Sequence, residues 1–432
     1  MSVPDPQAGA TDAAPRPARG GAVHLVATVP FYRGATAALF LSGLGFSAAA
    51  PQIATFLVRE LDASLATAGL YYLTNLTAPV AGYLIGARSD RTGNRLGLFR
   101  LCALIGALGW AGIALSTQLW MPFVLSALAL AVAGAATSQL FAALHDELTA
   151  RPAPGNDGVI AIVRMALTAG WVVGPVLGTV LAAQAGSRAM LLATAAATLL
   201  QIAPLGLRRD SAPARRVAAE EATELHAAHT PRPGLAAMAP LLLFTGLYVC
   251  VYAGESVKYA YLPLHMSGTL HLPAAVSGAI IGVQPLVELA LMPLAVIAGR
   301  RLGMLRLMVV GAGFGVGANL LFALSPGAAG LFAGQVLMGG VWGIFAVLGI
   351  IVAQRLLPGA VATASAIFLS STAVSSALGG ALGGIGTGVL GLPHVFLVPG
   401  ALGLVAMVGL VLLDRRLRSG AGFVGGVGPV AL

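Results

Sequence analysis

The sequence predicts an all-α membrane protein with twelve transmembrane helices in two pseudo-symmetric bundles of six. Three observations carry that reading. The 432 residues are 58% hydrophobic and only 9% charged, with a mean hydropathy of +0.89. A soluble chain carries roughly a quarter charged residues, so lipid must solvate most of this one. The apolar stretches run about 20 residues or more without strict alternation, which is the mark of spanning helices and not of a barrel. Only those two architectures satisfy every backbone N–H and C=O inside hydrocarbon. Finally, the basic residues lie singly or in small groups between the apolar runs. The formal charge of +9 therefore reads as membrane topology and not as a nucleic-acid surface.

Taken in order, residues 1–33 are rich in Pro, Ala and Gly with no early apolar core. They read as a disordered cytoplasmic tail, not a signal peptide. Apolar runs then place spans near 34–58, 64–87, 97–117, 122–145, 158–183 and 187–207, which form a first bundle over 34–207. The long polar segment 208–234 is a cytoplasmic linker, with room for a short amphipathic helix over 216–226. Six more spans follow near 237–263, 274–299, 304–324, 327–353, 360–389 and 393–413, giving a second bundle over 235–413, before a tail at 414–432. Cys102 and Cys250 both fall inside apolar runs, with neither a disulfide framework nor a metal spacing. No cofactor and no metal site is expected.

The arginines orient this layout. With the N-terminus inside, 20 basic residues fall on the inner side and only Arg59 and Arg188 on the outer, while Arg164 and Lys258 lie within spans. The bias predicts cytoplasmic termini in a bacterial inner membrane and an even number of spans. The halves also echo one another. Arg91-Thr92-Gly93 after the second span corresponds to Arg301-Leu302-Gly303 after the eighth, and Pro51 corresponds to Pro263. Duplicated six-helix halves are an architecture of secondary transporters, with the solute site between them near the bilayer midplane.

The loop after the second span carries Gly86, Asp90, Arg91, Gly93 and Arg95, spaced G-x-x-x-D-R-x-G-x-R. It resembles the cytoplasmic signature of the major facilitator superfamily. Its glycines permit close packing and a tight turn, and Asp90 can latch one conformation across the interface between the halves. Span 5 carries Gly170, Gly174, Pro175 and Gly178, a small-residue stripe for close helix packing with a proline bend. It resembles the G-x-x-x-G-P-x-x-G pattern of proton-coupled exporters. Arg164 ahead of Thr168-Ala-Gly-Trp171, Ser138-Gln139-Leu-Phe, Tyr261-Leu-Pro-Leu-His-Met-Ser and Arg88-Ser89-Asp90 together resemble the sugar efflux transporter family. The resemblance implies a major facilitator fold, and efflux of sugars or glycosides by proton antiport with alternating access. A drug or secondary-metabolite exporter is the alternative. A membrane-embedded enzyme would need His, Asp or Glu clustered at one membrane face, and no such cluster with a nucleophile is seen.

Charges inside spans are costly and mark wet cavities or one another. Glu255 and Lys258 are i,i+3 neighbours in span 7, where Tyr248, Tyr252, Glu255 and Tyr259 follow at helical spacing along one stripe. Tyrosines there offer apolar faces with a hydroxyl, suited to a sugar ring or a drug-like solute, or they pack between helices around a satisfied ion pair. Glu288 in span 8 has only Gln284 as a polar neighbour on its own helix. A carboxyl desolvated in a bundle can load and release protons near neutral pH, or it is a structural acid bonded to another helix. Arg164 either snorkels to the inner surface or faces inward as a solute or carboxylate partner. Asn75, Gln139, Trp171 and Trp342 complete the candidate solute-binding set. The expected partners are a small polar solute, protons and the bilayer, and the expected state is a monomer.

Overall fold

The computed structural model describes residues 21–151, 156–206, 208 and 235–419. These residues form helices joined by short turns, and eleven of the helices are long and apolar enough to cross a membrane. Span 1 is Pro30–Glu60, span 3 Arg95–Ala114, span 4 Trp120–Ala150, span 5 Asn156–Ala185 and span 6 Ser187–Leu205. In the second half, span 7 is Leu235–Leu264 with a π turn over His265–Thr269, and span 8 is Ala274–Leu302. Spans 9 to 12 are Met304–Leu324, Ala328–Leu356, Val361–Leu390 and Leu397–Arg418.

The twelfth crossing is span 2, built as Leu65–Leu70, a 3₁₀ stretch Tyr71–Thr77 and Ala78–Thr92. It falls short of the others because it is broken near its middle and ends in Arg88, Asp90 and Arg91. The 3₁₀ stretch contains Thr74 and Thr77, whose hydroxyls bond carbonyls three residues back and tighten the turn. Span 1 is likewise interrupted at Ala50–Gln52, where Pro51 cannot continue the i→i−4 ladder.

Both tails are shorter than composition suggests. A helix over Ala22–Thr28 precedes span 1, and Leu25, Val26 and Val29 pack against a core cluster containing Phe31, Tyr32, Leu39 and Val163. Burying the apolar face of AVHLVAT outweighs the disorder signalled by the neighbouring Pro and Gly. Span 12 continues to Arg418, past the expected end at 413, with Asp414 bonded to Arg418 at 3.0 Å and facing Arg306 at 3.7 Å. The 208–234 linker and its suggested helix over 216–226 lie, but for Arg208, outside the described residues.

The predicted packing glycines of span 5 meet span 1. A Cβ on Gly178 would touch the backbone of Ala48, and one on Gly170 the backbone of Phe40 and Leu44. The Ser47 hydroxyl donates to the Gly170 carbonyl at 3.1 Å across this contact. Such close approach is how helices without a hydrophobic driving force between them gain dispersion contacts. Contacts between the two halves gather at the end of the molecule away from the chain termini. There span 5 packs on span 8 through Gly278 and Gly282, and span 2 packs on span 11 through Gly380 and Gly384. The Tyr261 hydroxyl donates to the Leu65 carbonyl at 3.0 Å, and Arg59 donates to the Ser267 hydroxyl at 2.8 Å.

Candidate solute-binding site

Between that closed end and the termini, span 7 carries the charges that composition alone marks as costly. Lys258 is 1% exposed and Glu255 13% by side chain, and their Nζ···Oε1 distance is 2.5 Å. Two ions withdrawn from water persist only where further hydrogen bonds satisfy what the pair leaves over. Here spans 8 and 10 supply them. The Lys258 ammonium also donates to Gln284 Oε1, the Gln284 amide lies 3.4 Å from Glu255 Oε1, and the Trp342 indole N–H donates to Glu255 Oε2 at 3.0 Å. The ammonium sits 4.3 Å from the centroid of the Tyr259 ring, within cation–π range.

The tyrosine stripe divides into two roles. Tyr248 and Tyr252 stack at 4.2 Å with 14° between planes, and Tyr248 is enclosed by Phe345 of span 10 and Phe368 of span 11. Tyr248 is therefore packing, as its 4% exposure also says. Tyr252 bridges from that aromatic core to Trp342, with centroids 4.5 Å apart, so it braces the indole that holds Glu255. Sequence spacing places all four residues on one stripe, but it cannot show that span 10 supplies aromatic rings to cover the first of them.

Glu288, one turn along span 8 from Gln284, has no hydrogen bond from another side chain among the described residues. Its electrostatic neighbours are Glu255, Lys258 and, across the two halves, Arg164 of span 5. Arg164 is exposed, and its backbone carbonyl accepts from the Thr168 hydroxyl at 3.3 Å.

Asn75 of span 2 donates to the Ser376 hydroxyl at 2.6 Å, and Ser376 in turn meets Ser256 of span 7 at 3.2 Å. This chain of three small polar groups ties the halves together beside the Glu255 cluster. Ser256 and Ser376 are not singled out by the sequence, because lone serines in apolar runs carry no distinctive signal. Tyr72 is the other residue missed. It is 7% exposed, its hydroxyl lacks a partner among the described residues, and it lies within electrostatic range of Glu255. Two expected members stand apart. Trp171 packs on Phe46 of span 1, and Gln139 is buried in span 4 with its Oε1 unpartnered among the described residues.

The loop signature differs from its expected form in two respects. Asp90 binds Arg95 at 2.6 Å, and Arg95 reaches Asp146 of span 4 at 3.1 Å. These bonds stay within the first half and do not bridge the halves. The physical reason is that the halves make their contacts at the opposite end. Gly86 has open space where a side chain would lie, so it is not a packing contact in this conformation. Gly93 does make the turn, at φ +65°, a conformation in which any Cβ is strained.

This arrangement can hold a neutral polar solute. Glu255 and Lys258 cancel, leaving the remaining carboxylate lone pairs and Gln284 amide N–H for hydroxyls and the aromatic faces for ring C–H groups, while Glu288 remains as an unpaired acid.

A family model described as Major Facilitator Superfamily matches residues 35–249 and 244–427. Sugar efflux transporter A of Dickeya chrysanthemi is 29% identical over 351 residues, 80% of this chain and 86% of that protein. Sugar efflux transporter A of Escherichia coli K12 is 27% identical over 350 residues, again 80% and 86%. Among solved structures, the crystal structure of the nucleoside transporter NupG superposes with a TM-score of 0.72 at 15% identity, covering 90% of this chain and 99% of that one.

Proposed function

The chain belongs to the Major Facilitator Superfamily, a multi-pass membrane transporter family, and from that premise we propose that it exports sugars or glycosides by proton antiport with alternating access. The site lies in a bacterial inner membrane, with both termini and the open end of the molecule facing the cytoplasm. The observation that carries this reading is the neutralised, multiply hydrogen-bonded Glu255–Lys258 pair with Gln284 and Trp342, beside a Glu288 that lacks such a partner. The pair recognises hydroxyls without demanding a charged solute, and Glu288 is free to exchange its proton. The names of the relatives, sugar efflux transporters, support the solute class.

In this mechanism a solute enters from the cytoplasmic side and binds between spans 7, 8 and 10. Ordering of Tyr252 and Trp342 around it draws the halves together at the termini end and loosens the glycine contacts at the other. Glu288 gives up its proton to the cytoplasm as the solute binds, before that end closes, and Arg164 then closes on the carboxylate and holds it in that form. When the outer end opens and the solute leaves, a proton from outside resets Glu288. The single-chain site needs no partner subunit, so the working form is a monomer. Counterflow in proteoliposomes across a panel of sugars, glycosides and antibiotics tests the assignment. Exchange of at least one sugar, competed by related sugars, supports it. Exchange of antibiotics alone would move the chain to drug export by the same chemistry.

A further inference from the structure

A cavity of about 210 Å³ lies between spans 1, 5, 7 and 8 at the closed end, far along the helices from the Glu255 cluster. Two of the elements that line it, spans 1 and 7, depart from regular helix at that level. Span 1 breaks at Pro51 and presents Gln52 and Thr55, and span 7 ends in the π turn that carries Ser267. Span 8 is in its first turn at Ser277. In span 5, Thr179 folds its hydroxyl onto the carbonyl of Pro175. Such irregular backbone turns polar side chains inward at a depth where an ideal helix would show apolar ones.

The lining is hydroxyl- and amide-rich, and part of it is unsatisfied. Gln52, Thr55 and Ser277 are 5%, 7% and 5% exposed, and the Thr55 Oγ1 and Ser277 Oγ atoms have no partner among the described residues. Buried hydroxyls without partners are disfavoured until something with its own donors and acceptors occupies the space. The mouth is spanned by the Arg59–Ser267 bond, which joins the two halves. At this volume the cavity holds roughly seven waters at ~30 Å³ each, and it is smaller than the ~300–1,000 Å³ typical of drug-sized ligands. A single sugar ring matches both its size and its polar lining, in which Arg59 is the one charged side chain.

We propose that this cavity is a second solute station on the exit path, holding one monosaccharide ring through Gln52, Thr55 and Ser277, with the Arg59–Ser267 bond as its outer gate. The inference rests on the export reading above but concerns separate residues. A solute released from the Glu255 site as the outer end loosens is caught here before Arg59 swings away, which disfavours its return.

The test uses the full-length chain carrying Cys102→Ala and Cys250→Ala, with either Ser277→Cys or Thr55→Cys added. Intact cells are treated from outside with an impermeant thiol reagent, with D-glucose or, as osmotic control, sucrose present. Both cysteines should label, and D-glucose should slow labelling at least about threefold in the Ser277→Cys protein. Protection should persist when Tyr252→Ala disables the central site. In Ser277→Cys, adding Thr55→Val should raise the half-protecting glucose concentration about three- to tenfold, the worth of one hydrogen bond. Absence of outside labelling at both positions would overturn the station, since a cavity that never opens outward is not on an exit path. So would labelling that glucose leaves unchanged in cells whose unmodified chain transports glucose. Failure of the unmodified chain to transport any sugar, with protection intact, would instead count against the export mechanism and leave the cavity as a sugar site.

Discussion

Replacing Lys258 by Met while keeping Glu255 leaves a carboxylate buried with its counter-charge removed. The Nζ–Oε1 contact of 2.5 Å is then lost, and so is the bond from Nζ to Gln284, at a position 1% exposed. Breaking one side of such a pair costs about 3–5 kcal/mol, most of it the unpaired charge left behind and not the net worth of the bridge. The double variant Lys258→Met/Glu255→Gln removes that charge too, and the carboxamide introduced on span 7 can still accept from the Trp342 indole, so most of the loss should return. Reversible unfolding in mixed micelles by titration with SDS, followed by fluorescence of the four tryptophans, measures all four corners of the cycle. A coupling of about 2 kcal/mol or more is expected. If the two single changes add within about 0.5 kcal/mol, the independence limit, the pair is not buried and the account of the site is wrong.

Three further outcomes follow from the same geometry. Asp90→Asn removes one of the two carboxylates around Arg95 and should cut transport several-fold while membrane-inserted protein is unchanged, as measured by counterflow normalised to quantitative immunoblot. Gly380→Leu places a side chain against Gly69 and Tyr72. Overpacking of about 1–3 kcal/mol should hold the far end open, raise outside labelling at Ser277→Cys about tenfold and abolish transport. Cysteines introduced into 208–234 should react with impermeant reagents from the cytoplasmic side alone, and labelling from outside would reverse the orientation.

The helices are legible in the sequence because hydrocarbon imposes length and composition on each one separately. Spans 3, 8, 9, 11 and 12 start within about four residues of their expected positions for that reason. The breaks in spans 1 and 2 are less legible, since hydroxyl-to-carbonyl bonds such as that of Thr74 are set by local geometry and not by hydropathy. The pairing of Glu255 with Lys258 follows from i,i+3 spacing. That Gln284 and Trp342 complete it does not, because tertiary neighbours on other spans leave no trace in a single chain. The helix at Ala22–Thr28 is masked by its polar surroundings, and the Arg95 bonds are illegible because a sequence does not say at which end two halves touch. Ser376, Ser256 and the outer cavity need a finer signal. Single Ser, Thr or Gln residues facing one another at equal depth in different spans would mark them.

The most direct test is solute-driven proton movement in proteoliposomes that carry a pH-sensitive dye inside. Vesicles loaded with a transported sugar and diluted into sugar-free buffer should acidify internally as sugar leaves and protons enter. Vesicles without sugar should not. With Glu288→Gln the sugar should still exchange at equal concentrations on both sides, but the acidification should vanish. A sugar efflux that moves no protons in the unaltered protein, or an unchanged proton signal in Glu288→Gln, would contradict proton antiport through this carboxyl.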